Sequence, residues 1–259
     1  MDLGLAGKNA IVCASSKGLG RACALELARA GCRVVVNGRD ADRLEETRAE
    51  IAAQTGAEVI AVAADISTEE GRAALIGALP RVDILVNNNG GPPPRDFRQI
   101  DEAAMIAGVE ANMIAPIRLT QAVIDGMIDR RFGRIVNITS GSVKMPLAGL
   151  DLSSGARAGL TAFVAGVARS VAHANVTINS LLPGSFDTDR IASMVAGQAR
   201  KSGRDPAEVL REREAGIPAK RLGDPAEFGA ACAFLCSVQA GYITGQSLLI
   251  DGGAFPGVL

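Results

Sequence analysis

The chain has 259 residues, with 27 Lys+Arg against 28 Asp+Glu and a formal charge of -1 at pH 7. That length suits one domain with a large core, and a near-balanced charge without a basic run gives no electrostatic case for nucleic acid. No apolar stretch approaches the roughly 20 residues of a membrane span, MDLGLAGKNAIVCASS lacks the pattern of a signal peptide, and the five cysteines show no metal spacing, so a cytoplasmic chain with buried thiols and no metal is expected.

Ala10–Cys13 predicts a first strand, followed by a loop through Gly20 and a helix to Ala30. Arg33–Asn37 predicts a second strand, Asp40–Thr55 a charged amphipathic helix stopped by Gly56, and Glu58–Ala63 a third strand ending at Asp65. A helix over Thr68–Leu79, a strand over Ile84–Asn87, one long helix over Asp101–Asp129 and a strand over Arg134–Thr139 follow. Ser153–Ala172 reads as a helix, Val176–Leu181 as a strand, Pro225–Cys236 as a helix and Ser247–Ile250 as a strand. Strands alternating with helices of these lengths predict a doubly wound, seven-stranded parallel sheet with helices on both faces, a single-domain Rossmann-like α/β fold over residues 1–259. The segment Asp187–Asp224 carries charges, glycines, Pro206 and Pro218 but no strand pattern. It reads as one or two helices forming a substrate lid, or as a surface excursion. The lone His173 reads as a surface or packing residue.

Gly18 and Gly20 stand directly after a strand and before a helix, where glycines let a phosphate approach backbone N–H groups. The full GxGxxG is absent, and its first glycine falls on Ala14 or Ser15. An NAD site would place an acid at the end of the second strand, but Val36-Asn37-Gly38-Arg39 has none. Lys17 and Arg39 are instead suited to a 2'-phosphate, so NADP(H) is favoured over NAD(H). Asp65 is a candidate for the adenine edge, with a solvated loop acid as the alternative.

These residues carry a resemblance to the short-chain dehydrogenase/reductase family, close to 3-oxoacyl-carrier-protein reductases, over about residues 7 to 253. The family's TGxxxGxG resembles Ala14–Gly20, with Ala14-Ser15 for the opening Thr-Gly. Its NNAG resembles Asn87-Asn88-Asn89-Gly90, its helix Asn matches Asn112, its catalytic Ser matches Ser140, and its proline-glycine loop matches Pro183-Gly184 with Thr188 after it. Gly241–Gly253 (GYITGQSLLIDGG) is a near-literal family ending. The resemblance implies a cofactor held by Ser15, Lys17, Gly18, Leu19 and Gly20 in the first loop. It adds Arg39, Asp65 and Ile66 after the second and third strands, Asn88 and Gly90 after the fourth, and Pro183, Gly184 and Thr188. It also implies a homotetramer or homodimer packed through the helices around Asp101–Asp129 and Ser153–Ala172.

The departure falls on the proton donor. Thirteen residues after its Ser the family has Tyr, and four later Lys; here these are Ser153 and Arg157. The sole tyrosine, Tyr242, aligns with a non-catalytic position. Gly90-Gly91-Pro92-Pro93-Pro94 and Ser142-Val143-Lys144 resemble a subgroup with imperfect versions of these motifs. A serine hydroxyl is a far weaker acid than tyrosine, and an arginine, with a pKa above about 12, does not give up its proton at useful rates. Arg157 can stabilise a negative oxygen and hold the nicotinamide ribose, or simply pair with a nearby acid. The proton would come from water ordered by Asn112, Ser140 and Ser153, from Lys144 with its pKa lowered in a closed pocket, or from the substrate. Lys144 reads equally as a solvent-facing loop residue.

The leading expectation is an NADP(H)-dependent oxidoreductase acting on the carbonyl or alcohol of a small or acyl-type molecule. A nucleotide-binding regulator or silent subunit, and a non-redox lyase or dehydratase in the same pocket, are the alternatives, because fold constrains function poorly. The proline-stiffened Gly90–Phe97 loop borders the substrate, and Arg95 is a candidate for an acidic group. The lid's basic residues, from Arg190 to Lys220, are interrupted by acids along the sequence, so no carrier-protein site is read from them.

Overall fold

Alternate side chains of the apolar strands enter two different cores, one on each face of a single sheet. The computed structural model describes residues 2–92 and 94–258, so Pro93 of the triple-proline loop lies outside the described residues. The strands are β1 (Asn9–Val12), β2 (Arg33–Gly38), β3 (Val59–Ala63), β4 (Ile84–Asn87), β5 (Gly133–Ile138), β6 (Val176–Pro183) and β7 (Ser247–Ile250). They form a seven-stranded sheet in the order β3-β2-β1-β4-β5-β6-β7, with every neighbouring pair parallel. The helices are α1 (Gly18–Arg29), α2 (Ala41–Thr55), α3 (Glu69–Gly77), α4 (Glu102–Val109), α5 (Ala115–Asp129), α6 (Asp151–Val171), α7 (Asp189–Ser202), α8 (Pro206–Gly216) and α9 (Pro225–Cys236).

Ala10 and Val12, Val34 and Val36, and Ile84 and Val86 pack with Leu27, Leu44 and Phe228 of α1, α2 and α9. The intervening Ile11, Val35 and Leu85 pack with Leu75, Leu119 and Leu160 of α3, α5 and α6. Full coverage explains why these strands are continuous apolar runs. The chain winds outward through β2 and β3, then crosses to β4 on the other side of β1. That reversal opens a crevice at the carboxyl ends of the strands, where open α/β sheets bind ligands.

The long helix expected over Asp101–Asp129 is interrupted. A single π turn, Glu110–Ile114, separates α4 from α5, with the Ala115 N–H bonded to the Glu110 carbonyl. Pro116 is the physical reason, since it has no N–H to offer the carbonyl of Asn112. Thr68 is a cap rather than a helical residue: its hydroxyl accepts from the Gly71 N–H, and α3 ends at Gly77. The segment Asp187–Asp224 contains two helices, α7 and α8.

Candidate active site

The loop from Cys13 to Lys17 is held by buried polar contacts. Ser15 is 0 % exposed; its hydroxyl donates to the Val12 carbonyl at 2.7 Å and accepts from the Asn37 N–H at 2.9 Å. It fastens the loop to β2 and does not face the crevice, contrary to the cofactor contact expected of it. Asn37 also accepts from the Ala14 N–H and donates to the carbonyls of Val62 and Ala64. Asn88 donates to the Ala14 carbonyl at 3.1 Å. Ala14 has φ 44, left-handed backbone that favours glycine. Of the two positions open in the sequence, the first glycine of the motif therefore falls on Ala14, which moves the Thr-Gly match from Ala14-Ser15 to Cys13-Ala14. Burial pushes the Cys13 thiol up to about 12, so it is an inert packing group.

Gly18 has φ +58, and the nearest group to a Cβ there is the Thr188 methyl at 3.8 Å, across the crevice. No side chain caps α1 at Lys17, which leaves its first-turn N–H groups for an anion. Gly20 serves close packing instead: a Cβ would stand 2.4 Å from the Ala14 carbonyl and 2.8 Å from Asn88 Nδ2. Leu19 packs against the core beside it. These features fit a pyrophosphate between α1 and Thr188.

Lys17 and Arg39 take different carboxylate partners. Lys17 pairs with Asp189 at 3.7 Å and Arg39 with Asp65 at 3.8 Å; all four side chains are well exposed. Ser16, missed in the sequence, lies against the backbone just before Arg39: its hydroxyl is 3.1 Å from a Cβ built on Gly38. Asp65 accepts from the Ser67 hydroxyl and N–H. Those bonds, with a smaller contribution from Arg39, hold its carboxyl below the usual range. The Ile66 side chain is buried in the apolar core, so only its backbone is left for a ligand.

At the centre, Arg157 is 8 % exposed. Its Nη1 donates to the carbonyls of Ile138 (2.7 Å) and Thr139 (2.9 Å), and its Nη2 to the carbonyl of Asn89 (3.1 Å). No described carboxylate pairs with it, so the acid-pair reading of this residue does not hold. Burial first, and the charge of Arg190 second, push its pKa down to about 10, which leaves it cationic at neutral pH. The guanidinium is thus a fixed positive floor, and both its terminal nitrogens are engaged by main-chain oxygens. Asn89 also donates to the Ala111 carbonyl at 3.0 Å, tying the loop after β4 to the π turn. Asn112 is buried there; its Nδ2 donates to the Gly108 carbonyl at 3.2 Å, while its Oδ1 is buried without a partner. Asn112 and Ser153 line one cavity of about 260 Å³, together with Gly90, Gly91 and Leu152. The Ser153 hydroxyl donates to the Leu150 carbonyl at 3.1 Å.

Ser140 is bonded elsewhere. Its hydroxyl oxygen accepts from the Ser142 N–H at 3.1 Å and the Ser142 hydroxyl at 2.8 Å. The Ser154 hydroxyl in turn donates to Ser142 at 2.8 Å. Three serines form one chain, and its α6 member is Ser154, not Ser153. Lys144 ends the short turn after Ser140 and makes no side-chain bond to a described residue. Gly184 lies against the end of β7: its N–H donates to the Ile250 carbonyl, and a Cβ would meet Asp251. The Pro183 carbonyl is 3.2 Å from a Cβ built on Gly141, which brings the proline-glycine loop beside Ser140.

Among the described residues no group of three or more His, Cys, Asp or Glu is placed to hold a metal, and no helix is long and apolar enough to cross a membrane. A parallel doubly wound sheet with a glycine loop at its switch point defines a dinucleotide-binding α/β protein. Comparison narrows that class. The chain belongs to the short-chain dehydrogenase/reductase family: the family described as Enoyl-(Acyl carrier protein) reductase matches residues 13–254. It is 32% identical to the NADPH-dependent reductase BacG of Bacillus subtilis (strain 168), over 97% of this chain and 99% of that protein. It is 33% identical to the 3-oxoacyl-[acyl-carrier-protein] reductase FabG of Vibrio cholerae, over 98% of this chain and 99% of the relative. The L-sorbose reductase of Gluconobacter frateurii, solved with NADPH and L-sorbose, superposes with a TM-score of 0.95 at 29% identity, covering 100% of both chains.

Proposed function

We propose that the chain is an NADPH-dependent carbonyl reductase in which a serine chain replaces tyrosine as the route for the proton. Bound NADPH supplies the hydride to the carbonyl carbon. Ser140 binds the carbonyl oxygen and gives it a proton as the electron pair moves onto that oxygen. Ser142 replaces the Ser140 proton, Ser154 replaces that of Ser142, and water replaces that of Ser154. Arg157 is the positive floor that favours the developing oxyanion. The observation that carries this reading is the hydroxyl chain itself: Ser154, Ser142 and Ser140 are linked oxygen to oxygen at 2.8 Å in each step.

Ser153 and Arg157 stand at the family's tyrosine and lysine positions in this reading, so acid strength is traded for a relay. Ser16 and Arg39 hold the 2'-phosphate, and the uncapped start of α1 with Gly18 and Thr188 holds the pyrophosphate. Residues 187–224 form a lid on a single domain spanning 1–259. Five free, buried cysteines suit a reducing cytoplasm. Exposed Ile106 on α4, Phe163 on α6 and Leu248 on the edge strand β7 favour a homotetramer or homodimer.

Fluorescence titration tests the cofactor. NADPH should bind at least tenfold more tightly than NADH, and Arg39→Ala should erase the difference. NADH binding as tightly as NADPH overturns it. Loss of reduced-cofactor absorbance across a panel of ketones tests the reaction, and cofactor binding without turnover on any ketone overturns the reductase.

A further inference from the structure

The lid builds a cationic cleft beside the site. Arg190, Ser193, Met194, Gly197, Gln198 and Lys201 of α7 line a cleft of about 830 Å³ against Gly91, Pro92 and Pro94. Their spacing of three and four residues puts them on one helix face. The opposite face, with Ile191, Val195 and Ala199, packs on Val209 and Leu210 of α8. Arg213 of α8 completes the cleft, and no Asp or Glu lines it. Arg190, Lys201 and Arg213 pair with no carboxylate among the described residues, whereas nearby Arg204 pairs with both Glu208 and Glu212. Arg213 Nε is buried without a hydrogen-bond partner, so the protein itself leaves this guanidinium under-bonded. Gly197 sits inside the helix, where glycine costs about 1 kcal/mol relative to alanine. Nothing lies within 4 Å of a Cβ built there, so its missing side chain is cleft space.

The cleft adjoins the cavity of Ser153 and Asn112. Gly91 and Pro92 line both it and the cavity of Ser153 and Asn112. The Arg190 guanidinium lies 3.1 Å from a Cβ built on Gly91, and its charge is felt at Arg157. Met194, Pro92 and Pro94 give apolar walls between the cations. We infer that this cleft takes the anionic end, carboxylate or phosphate, of an extended substrate whose carbonyl lies at Ser140. The assignment of the carbonyl rests on the reductase reading above; the assignment of the anion site does not.

Calorimetric titration with hexanoate, hexyl phosphate and 1-hexanol tests the site without cofactor or turnover. At least one anion should bind tenfold or more tightly than the alcohol, and the better of the two identifies the group. Arg190→Gln and Arg213→Gln should each weaken that anion about tenfold, and Gly197→Leu, which fills the cleft, should weaken all three probes. Equal affinity for alcohol and anions, or Gln variants that bind like the wild type, overturns the inference. A second arm follows reduction of 6-oxoheptanoate and its methyl ester with NADPH. The acid's KM should lie at least tenfold below the ester's, and Arg190→Gln should close that gap. Anion binding without turnover of either ketone fails the reductase reading alone. Turnover of both with equal KM fails the anion site alone.

Discussion

Arg157 reaches across the site to donate to the main-chain oxygen of Asn89 at 3.1 Å, joining α6 to the loop after β4. The same side chain satisfies the carbonyls of Ile138 and Thr139. Its removal leaves three oxygens without that donor in a largely dry place. Arg157→Met should therefore destabilise the protein by about 3 kcal/mol, read from urea unfolding, and Arg157→Lys should recover part of the loss. With its folded pKa lowered to about 10, well below the ordinary arginine value, burial penalises the cation at every pH below about 10. Between those values the unfolded chain holds more protons than the folded one, so this group's contribution to stability rises with pH there. The stability gap between wild type and Arg157→Met should widen as pH is raised past 10. A near-neutral Arg157→Met would show that these bonds do not hold the site together.

The serine chain makes a prediction that separates neighbours in sequence. Ser142→Ala keeps the backbone N–H bond to Ser140 but removes the hydroxyl that links Ser140 to Ser154, so kcat should fall about a hundredfold, the scale of lost general acid catalysis. Ser154→Ala should cost less, about tenfold, because water can take the outer position. Ser153→Ala, outside the chain, should change kcat less than threefold. KM should move little in any of them, and the solvent isotope effect on kcat should change only in the first two. A larger loss in Ser153→Ala than in Ser154→Ala would place the proton route on the other serine.

The fold was legible because burial on both faces of a parallel sheet writes itself as short apolar runs. Ile84–Asn87, Pro225–Cys236 and Ser247–Ile250 match the structure at both ends. The interruption at Asn112 was hidden, since α4 and α5 read as one apolar period; Pro116 was the available signal. Ser15 resembled a ligand-facing hydroxyl, but nothing local announces that Asn37 and Val12 consume it. Ser142 and Ser154 meet only through the register of α6 against the loop after β5, which sequence separation conceals. In the lid the basic residues are interrupted by acids along the chain, and only the helical period brings Arg190 and Lys201 onto one face of α7.

Ala14 carries a backbone strain that a substitution can release. At φ 44 an L-residue costs about 1–2 kcal/mol relative to glycine, partly offset by the greater freedom of glycine in the unfolded chain. Ala14→Gly should raise Tm by about 2 °C and leave NADPH affinity unchanged or better. Gly20→Ala is the opposite case. Its methyl would press on the Ala14 carbonyl and the Ser15 backbone, atoms of the loop itself, and on Asn88 Nδ2, so the loop must move. Tm should fall by several degrees and NADPH affinity by tenfold or more. A Gly20→Ala protein that binds NADPH normally would mean the loop tolerates that shift.

Ser153 and Asn112 both line the cavity of about 260 Å³, and the Oδ1 of Asn112 is buried without a partner. A tyrosine ring buries about 150–250 Å², worth a few kcal/mol at about 25 cal/mol per Å², and brings a hydroxyl that can donate in this polar corner. Ser153→Tyr should therefore fold with Tm unchanged or a few degrees higher. A drop of more than about 5 °C would show that the cavity cannot take the ring. A phenol with a pKa near 10 is a far stronger acid than a serine hydroxyl, and a lysine at residue 157 can lower it further. The double substitution Ser153→Tyr with Arg157→Lys should raise kcat on a neutral ketone by tenfold or more and make the rate insensitive to Ser142→Ala. If the rate still depends on Ser142, the serine chain remains the proton route even when a phenol stands beside it.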